Sequence, residues 1–291
     1  MNAQPTSGTP SLPLPLKLAQ TGLNTLGRVA RPLAGRWALD LFSTPPRYKE
    51  PAREAEILRE AERFSVPFQG IQLAAYSWGR GPAILLVHGW AGRGGQLGSF
   101  VTPLVAAGHR VIAFDAPAHG RTPGRRTNAI EVGAAIRRMG EEMGPFRAVI
   151  AHSFGAACST LALSEGLAAE KVVYLAPACH IEQAVRGFAR QFGLSWPVEY
   201  SLREEMERNF GTSVWHRFSA TRAARELKLP ALIVHDLGDA EVPYREGQSL
   251  AHAWPGARLV VTSGLGHRRI LRDEGVIRDA VEFIAGPQTA H

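Results

Sequence analysis

The chain has 291 residues, of which 45% are hydrophobic and 20% charged, and a formal net charge of +7. These values are typical of a globular protein with a large core, and no apolar run approaches the roughly 20 residues that a membrane-spanning helix needs. The basic residues are scattered and form no known nucleic-acid-binding module, so we expect no nucleic-acid partner. With two cysteines and no clear signal peptide, the protein is predicted to be cytoplasmic and without a disulfide framework.

The N-terminal part of the chain differs from the rest in composition. Residues 1–15 are rich in Pro, Ser and Thr and are predicted to be disordered. Residues 16–66 are predicted to form a helical extension. Within it, residues 50–64 read as one polar helix with Pro51 near its start.

Residues 16–42 combine apolar and basic side chains. The apolar residues recur at helical spacing and are interrupted by Pro32 and Gly35, which predicts two short amphipathic helices. Two hypotheses follow for this segment. It either docks on the body of the protein or makes peripheral contact with a membrane surface.

From residue 67 onwards, short apolar runs alternate with helical stretches. Strands that are apolar throughout and separated by helices predict a mostly parallel, twisted sheet covered on both faces. The predicted fold class is therefore α/β, with its core in residues 67–177 and 228–286. The predicted strands are Ile71–Tyr76, Ala83–Val87, Arg110–Phe114, Arg147–Ala151, Lys171–Leu175, Pro230–His235 and Arg258–Thr262. The predicted helices are Gly95–Ala107, Asn128–Met143, Phe154–Glu165, Tyr244–His252 and Gly275–Ala285.

One interval, residues 178–227, breaks the alternation because it contains no strand-like run. Apolar residues at helical spacing predict one helix that ends near Gly193. A second helix is predicted from Ser201 to Gly211. We interpret the interval as a helical cap, or lid, inserted into the sheet domain.

The pentapeptide Ala151-His152-Ser153-Phe154-Gly155 lies between a predicted strand and a predicted helix. A serine on a sharp strand-to-helix turn exposes its hydroxyl at the edge of a sheet, and the small residues Ala151 and Gly155 let the chain turn without clashes. A hydroxyl is a weak nucleophile at neutral pH. Ser153 therefore predicts chemistry only if a base and an orienting acid follow it.

Two later strands are followed by residues that could supply this base and acid. His267 follows the last strand, and of the ten histidines it alone has a suitable place. Asp239 follows the preceding strand and is the favoured acid, with Asp236 and Glu241 as rivals. Asp236 would also suit a structural hydrogen bond within the loop.

Ser, Asp and His in this chain order resemble the α/β-hydrolase superfamily over residues 70–286. Asp239-Ala240-Glu241-Val242-Pro243 matches the family's Asp-x-x-Val-Pro loop, His267 lies in a matching Gly-x-Gly-His turn, and Ala151 stands where Gly is commoner. The resemblance implies that Ser153 attacks a carbonyl carbon. His267 would then transfer the proton while Asp239 orients the imidazole.

The resemblance also implies an oxyanion hole, which needs two N–H donors. One would be the amide of Phe154, directly after the nucleophile. The other would be the amide of Trp90 in the loop after strand 83–87, where Gly89 permits close approach and His88 has a structural role. The supporting residues are then His88, Gly89, His152 and Gly155.

From these residues we expect a serine hydrolase that cleaves a carboxylic ester or thioester through an acyl-enzyme on Ser153. The aromatic residues of the insertion favour a small, hydrophobic substrate, whereas Arg186 and Arg190 would instead suit an acid group. We expect no metal and no cofactor. Two alternatives stay open: an acyltransferase or a C–C or amide bond hydrolase of the same fold, and a non-enzymatic ligand receptor or scaffold.

Overall fold

The computed structural model describes residues 14–286, so the expected disorder of residues 1–15 lies almost entirely outside the described part. The described chain divides into two compact units. We call residues 14–42 and 183–212 the helical unit, and residues 43–182 and 213–286 the sheet unit.

The sheet unit contains an eight-stranded sheet in the order β1-β2-β4-β3-β5-β6-β7-β8. The pairs β1–β2 and β2–β4 are antiparallel and the other pairs are parallel, so the predicted mostly parallel α/β fold is confirmed. The strands are β1 Glu62–Phe68, β2 Ile71–Trp78, β3 Ala83–Val87, β4 Arg110–Phe114, β5 Phe146–His152, β6 Val172–Leu175, β7 Ala231–Asp236 and β8 Arg258–Thr262.

Helices cover both faces of this sheet and form two apolar clusters with it. Because side chains of a strand alternate between the faces, each inner strand contributes to both clusters, which explains why these strands are apolar throughout. Cys158 and Cys179 are buried and free in one cluster. Within residues 14–286 the α-helices are α1 Leu14–Val29, α2 Arg31–Phe42, α3 Ala52–Arg59, α4 Val101–Ala106, α5 Ala129–Met143, α6 Phe154–Ser164, α7 Ile181–Gln191, α8 Trp196–Phe210, α9 Val214–Arg217, α10 Ala220–Ala224, α11 Arg245–Ala253, α12 Gly266–Arg269 and α13 Glu274–Ala285.

The prediction of one polar helix over residues 50–64 is wrong. The helix α3 ends at Arg59, and the chain continues as the edge strand β1. A two-residue turn, Gln69-Gly70, joins β1 to β2, and both residues have a positive φ (44° and 80°). Such a turn matches the twist of a β-hairpin, so residues 62–68 extend along β2 instead of continuing the helix.

The helical unit consists of α1, α2, α8 and most of α7. The prediction that Pro32 and Gly35 interrupt the first helices is only half right. The break lies at Ala30, and Pro32 falls in the first turn of α2, where its missing N–H is not needed. Gly35 lies inside α2, where a Cβ would be 2.6 Å from the carbonyl oxygen of Ser201. Glycine therefore permits the close approach of α2 and α8.

The second insertion helix, α8, begins earlier than predicted, at Trp196 instead of Ser201, with Pro197 in its first turn. Asn24 of α1 binds the segment before α8, because its side-chain amide donates to the carbonyl oxygen of Gly193 and accepts from the backbone amide of Ser195.

None of the helices within residues 14–286 has the length and apolar character needed to cross a bilayer.

Candidate active site

Ser153 occupies a sharp turn between β5 and α6. Its backbone has φ +51° and ψ −118°, a conformation that a non-glycine residue adopts only under strain. Gly155 allows this turn to pack closely, because a Cβ there would lie 2.4 Å from the carbonyl oxygen of His88. Glycine is thus required at position 155 for steric reasons.

The structure brings Ser153, His267 and Asp239 into one hydrogen-bonded series. His267 Nε2 lies 3.0 Å from Ser153 Oγ, and His267 Nδ1 lies 2.7 Å from Asp239 Oδ2. All three side chains are buried. Because an ionised carboxylate only accepts hydrogen bonds, Nδ1 carries the hydrogen and Nε2 is free to accept the serine hydroxyl. The arrangement can therefore move a proton from Ser153 to His267.

Asp239 is held in its ionised form by several donors. Its Oδ1 accepts hydrogen bonds from the amides of Glu241 and Val242, each at 2.8 Å. Burial by itself would raise the pKa of Asp239, but hydrogen bonds from His235 and His267 outweigh it and hold this pKa well below its ordinary value. The carboxylate is thus a fixed negative charge beside the imidazole.

The two rival acids make other contacts. Asp236 accepts hydrogen bonds from the Thr262 hydroxyl and the Leu265 amide, at 2.8 and 2.9 Å. Burial opposes ionisation, but these bonds lower the pKa of Asp236. Glu241 lies at the surface and pairs with Arg268. Of the three acids, Asp239 therefore contacts the His267 imidazole.

His88 and Gly89 shape the loop that follows β3. His88 Nδ1–H donates to the carbonyl oxygen of Gly89 at 2.7 Å, and His88 Nε2 accepts from the amide of Ala116 at 3.0 Å. Burial lowers the pKa of His88 to about 4, so the ring is neutral and both nitrogens are used. The next residue, Trp90, packs its ring edge-on against Phe154 at a centroid distance of 5.2 Å. The two residues predicted to supply amides thus lie in contact.

His152 supports the histidine loop from the strand β5. Its Nε2–H donates to the carbonyl oxygen of His267 at 3.0 Å, and the two rings lie 4.5 Å apart. Burial lowers the pKa of His152 well below its ordinary value. A neutral ring therefore lies beside His267 and fixes its backbone.

Sequence reasoning missed one residue of this site, His235. The sequence predicts it only as the last residue of the strand Pro230–His235, yet its Nε2 lies 3.5 Å from Asp239 Oδ2. The apolar pattern of β7 gives no sign of this contact.

Within the described residues, His, Cys, Asp and Glu side chains form no group of three or more suited to a metal ion.

Comparison with known proteins agrees with this fold. A model of the "Alpha/beta hydrolase family" matches residues 84–280, whereas no curated protein matches the chain. The chain is similar to an esterase from Pyrococcus furiosus (19% identity, TM-score 0.63, covering 83% of this chain and 97% of that one). It is also similar to a putative lipase from Acinetobacter baumannii AYE (17%, 0.62, 81% and 97%) and to a thioesterase domain from the curacin biosynthetic pathway (19%, 0.57, 78% and 99%). At these identities the likeness concerns the fold. The family match over most of the sheet unit identifies the chain as a member of the alpha/beta hydrolase family.

Proposed function

We propose that this protein is a serine hydrolase that cleaves a carboxylic ester or thioester through an acyl-enzyme on Ser153. The observation that carries the proposal is the series Ser153 Oγ to His267 to Asp239, with contacts of 3.0 and 2.7 Å. The fold alone hosts many activities. The proposal therefore rests on this site and not on the neighbours.

The reaction has two halves with the same proton carrier. Ser153 Oγ attacks the carbonyl carbon while its proton passes to His267 Nε2, and Asp239 stabilises the imidazolium. When the tetrahedral intermediate collapses, His267 gives that proton to the leaving alcohol or thiol. Water then attacks the acyl-enzyme, with His267 accepting its proton and returning it to Ser153 as the carboxylic acid departs.

The negative oxygen of the intermediate needs hydrogen-bond donors. Phe154 is the first residue of α6, so its amide has no partner within the helix, and the N-terminal end of a helix favours negative charge. The amide of Trp90, in the turn closed by Gly92 N–H to Gly89 O at 3.0 Å, is the second proposed donor. Loss of one such donor typically costs about 3 kcal/mol of transition-state stabilisation.

The substrate is proposed to be a small, hydrophobic ester or thioester. The similar solved structures include an esterase and a thioesterase domain, and both chemistries form the same acyl-enzyme. An acyl-chain-length series of paired esters and thioesters separates them. If added alcohols take the acyl group in place of water, the result would favour the acyltransferase alternative. Low hydrolysis rates that do not vary with chain length would favour the non-enzymatic ligand receptor.

A fluorophosphonate probe, which reacts with an activated serine, tests the proposal directly. Wild type should be labelled, and Ser153→Ala and His267→Ala should not. Equal labelling of wild type and Ser153→Ala would overturn the assignment of the nucleophile. Ser249→Ala, which changes a serine in α11, is the matched control.

We also propose that residues 16–42 make peripheral contact with a membrane surface. Leu18 and Val29 of α1 are exposed, and their separation of eleven residues, about three turns, places them on one side of the helix. Lys17 and Arg28 precede them directly and are also exposed. Exposed apolar residues beside basic ones favour a helix that lies on anionic lipid.

A further inference from the structure

His235 is a buried histidine that lies against the carboxylate of Asp239. It is the second-last residue of β7, and its side chain is fully buried. Its Nε2 lies 3.0 Å from the carbonyl oxygen of Val242 and 3.5 Å from Asp239 Oδ2. The same Oδ2 lies 2.7 Å from His267 Nδ1. Two imidazole rings therefore converge on one carboxylate oxygen.

The contact with Val242 decides which nitrogen of His235 carries the hydrogen. A carbonyl oxygen only accepts, so the hydrogen is on Nε2. This N–H donates to Val242 and also faces the more distant Asp239 Oδ2 as a second acceptor. Nδ1 is buried and has no hydrogen-bond partner among the described residues. A Cβ added to Gly247 would lie 2.4 Å from Nδ1, so α11 packs directly on the ring and limits its movement.

Val242 links His235 to the position of Asp239. Its amide donates to Asp239 Oδ1 at 2.8 Å, while its carbonyl oxygen accepts from His235. The His235 side chain of β7 therefore contacts both ends of the turn, at Asp239 and at Val242. The hydrogen bond from His235 also helps to keep the pKa of Asp239 below its ordinary value despite its burial.

We propose that His235 is a positioning residue of the active site, which fixes the turn carrying Asp239 so that its Oδ2 meets His267 Nδ1. It acts through Asp239 and does not contact the substrate. The proposal rests on the proposed function, since only a working series of Ser153, His267 and Asp239 gives the position of Asp239 a catalytic consequence.

Two substitutions separate the hydrogen bond from the volume of the side chain. His235→Leu fills the space without a donor, whereas His235→Gln places an amide N–H at about the reach of Nε2. With p-nitrophenyl butyrate, His235→Leu should lower kcat about tenfold, the effect expected from one lost bond of moderate strength, and leave KM unchanged. His235→Gln should recover most of kcat. The exposed His252 of α11 supplies the control, since His252→Leu should change neither constant.

A second readout does not depend on turnover. The proton between His267 Nδ1 and Asp239 should give a downfield NMR resonance in wild type and in His235→Gln. In His235→Leu this resonance should broaden, because the turn no longer holds the carboxylate. If Leu and Gln variants agree in both resonance and kcat, His235 only fills space and the proposal is overturned.

Failure of the proposed function would be distinct. A wild type that neither hydrolyses esters nor reacts with fluorophosphonate would overturn the hydrolase, while the resonance comparison would still decide the role of His235. Should His235→Leu not fold, His235→Asn, whose amide is one methylene shorter, replaces it in the comparison with Gln.

Discussion

Asp236 and Thr262 join the ends of two neighbouring strands, with the Thr262 hydroxyl donating to Asp236 Oδ2 at 2.8 Å. These strands, β7 and β8, precede the loops that carry Asp239 and His267. The same carboxylate oxygen accepts from the amide of Leu265, two residues before His267. One buried carboxylate therefore ties the acid loop to the histidine loop.

The substitution Asp236→Asn should weaken both the fold and the site. The NH₂ group of asparagine cannot accept a hydrogen bond from the Thr262 hydroxyl or the Leu265 amide. At least one hydrogen bond to a charged, buried acceptor is therefore lost. We expect the free energy of unfolding to fall by about 2 kcal/mol and kcat/KM to fall about tenfold, measured by urea unfolding and ester hydrolysis. Glu282→Gln, at an exposed position of α13, is the control. Wild-type values for Asp236→Asn would contradict this role.

The buried neutral His88 should make stability depend on pH. Its pKa is about 4 in the folded protein and about 6.5 when unfolded. The unfolded state therefore binds the proton first as pH falls, so the stability due to His88 is complete above pH 6.5 and is lost down to about pH 4. The loss approaches roughly 3 kcal/mol.

Replacing His88 by Gln isolates this contribution. Glutamine does not titrate and can still accept from the amide of Ala116, so His88→Gln should lose less stability between pH 7 and 5 than wild type. Urea unfolding at several pH values measures the two slopes, and the exposed His252→Gln serves as control. Parallel slopes for wild type and His88→Gln would show that His88 does not titrate as described.

The backbone conformation of Ser153 should lower the stability of the folded protein. Its φ of +51° and ψ of −118° are strained for any residue with a Cβ, at about 1–3 kcal/mol. Glycine relieves that strain, so Ser153→Gly should be inactive yet more stable than the equally inactive Ser153→Ala by about 1 kcal/mol in urea unfolding. Comparing two inactive variants removes effects of the hydroxyl. Equal stability of the two would mean that the turn is not strained.

Gly89 should be required for the oxyanion loop. A Cβ there would lie 2.8 Å from His152 Nδ1 and 3.3 Å from Ser153 Cβ, so Gly89→Ala must displace the loop that presents the amide of Trp90. We expect kcat to fall about 100-fold, because a displacement of about 1 Å at a reacting site can reduce the rate by this factor. Gly187→Ala, where a Cβ meets nothing within 4 Å, should keep full activity. A kcat for Gly89→Ala within twofold of wild type would rule out this steric argument.

Much of the sheet could be predicted because its inner strands leave a plain sequence signal. The predicted strands Ala83–Val87 and Arg110–Phe114 coincide with the inner strands β3 and β4. The edge strand β1 was missed because it is exposed on one side, and its three charged or polar residues resemble the preceding helix. The other edge strand, β8, coincides with the predicted strand Arg258–Thr262 because it keeps the apolar run Leu259-Val260-Val261.

The site divides in the same way between local and tertiary information. Ser153 and His267 follow from turn motifs at strand ends, which are local. The assignment of Asp239 over Asp236 depends on which carboxylate the loop turns toward His267, and the contact of His235 depends on the packing of α11. Side-chain direction in a loop is a tertiary property that strand and helix periodicity does not contain.

Three large apolar side chains of the helical unit are exposed. Leu18, Val29 and Leu33 are 65%, 79% and 53% exposed. The contact of α2 with α8 is made by small residues such as Gly35 instead. Replacing the three by serine should therefore spare the fold and remove apolar contact with lipid. Deleting the segment would instead unpack α8, so substitution is the cleaner test.

Co-sedimentation with phosphatidylglycerol vesicles measures the result. Wild type should bind, and the Leu18→Ser, Val29→Ser, Leu33→Ser variant should bind at least about 100-fold more weakly, because each of the three apolar side chains contributes of order 1 kcal/mol or more and about 1.4 kcal/mol is a factor of ten. High salt should weaken wild-type binding through the screening of Lys17 and Arg28. Val261→Ser, at an exposed apolar position of β8, should bind as wild type does. Absence of wild-type binding, or equal binding by the triple variant, would leave residues 16–42 as a packing element of the helical unit alone.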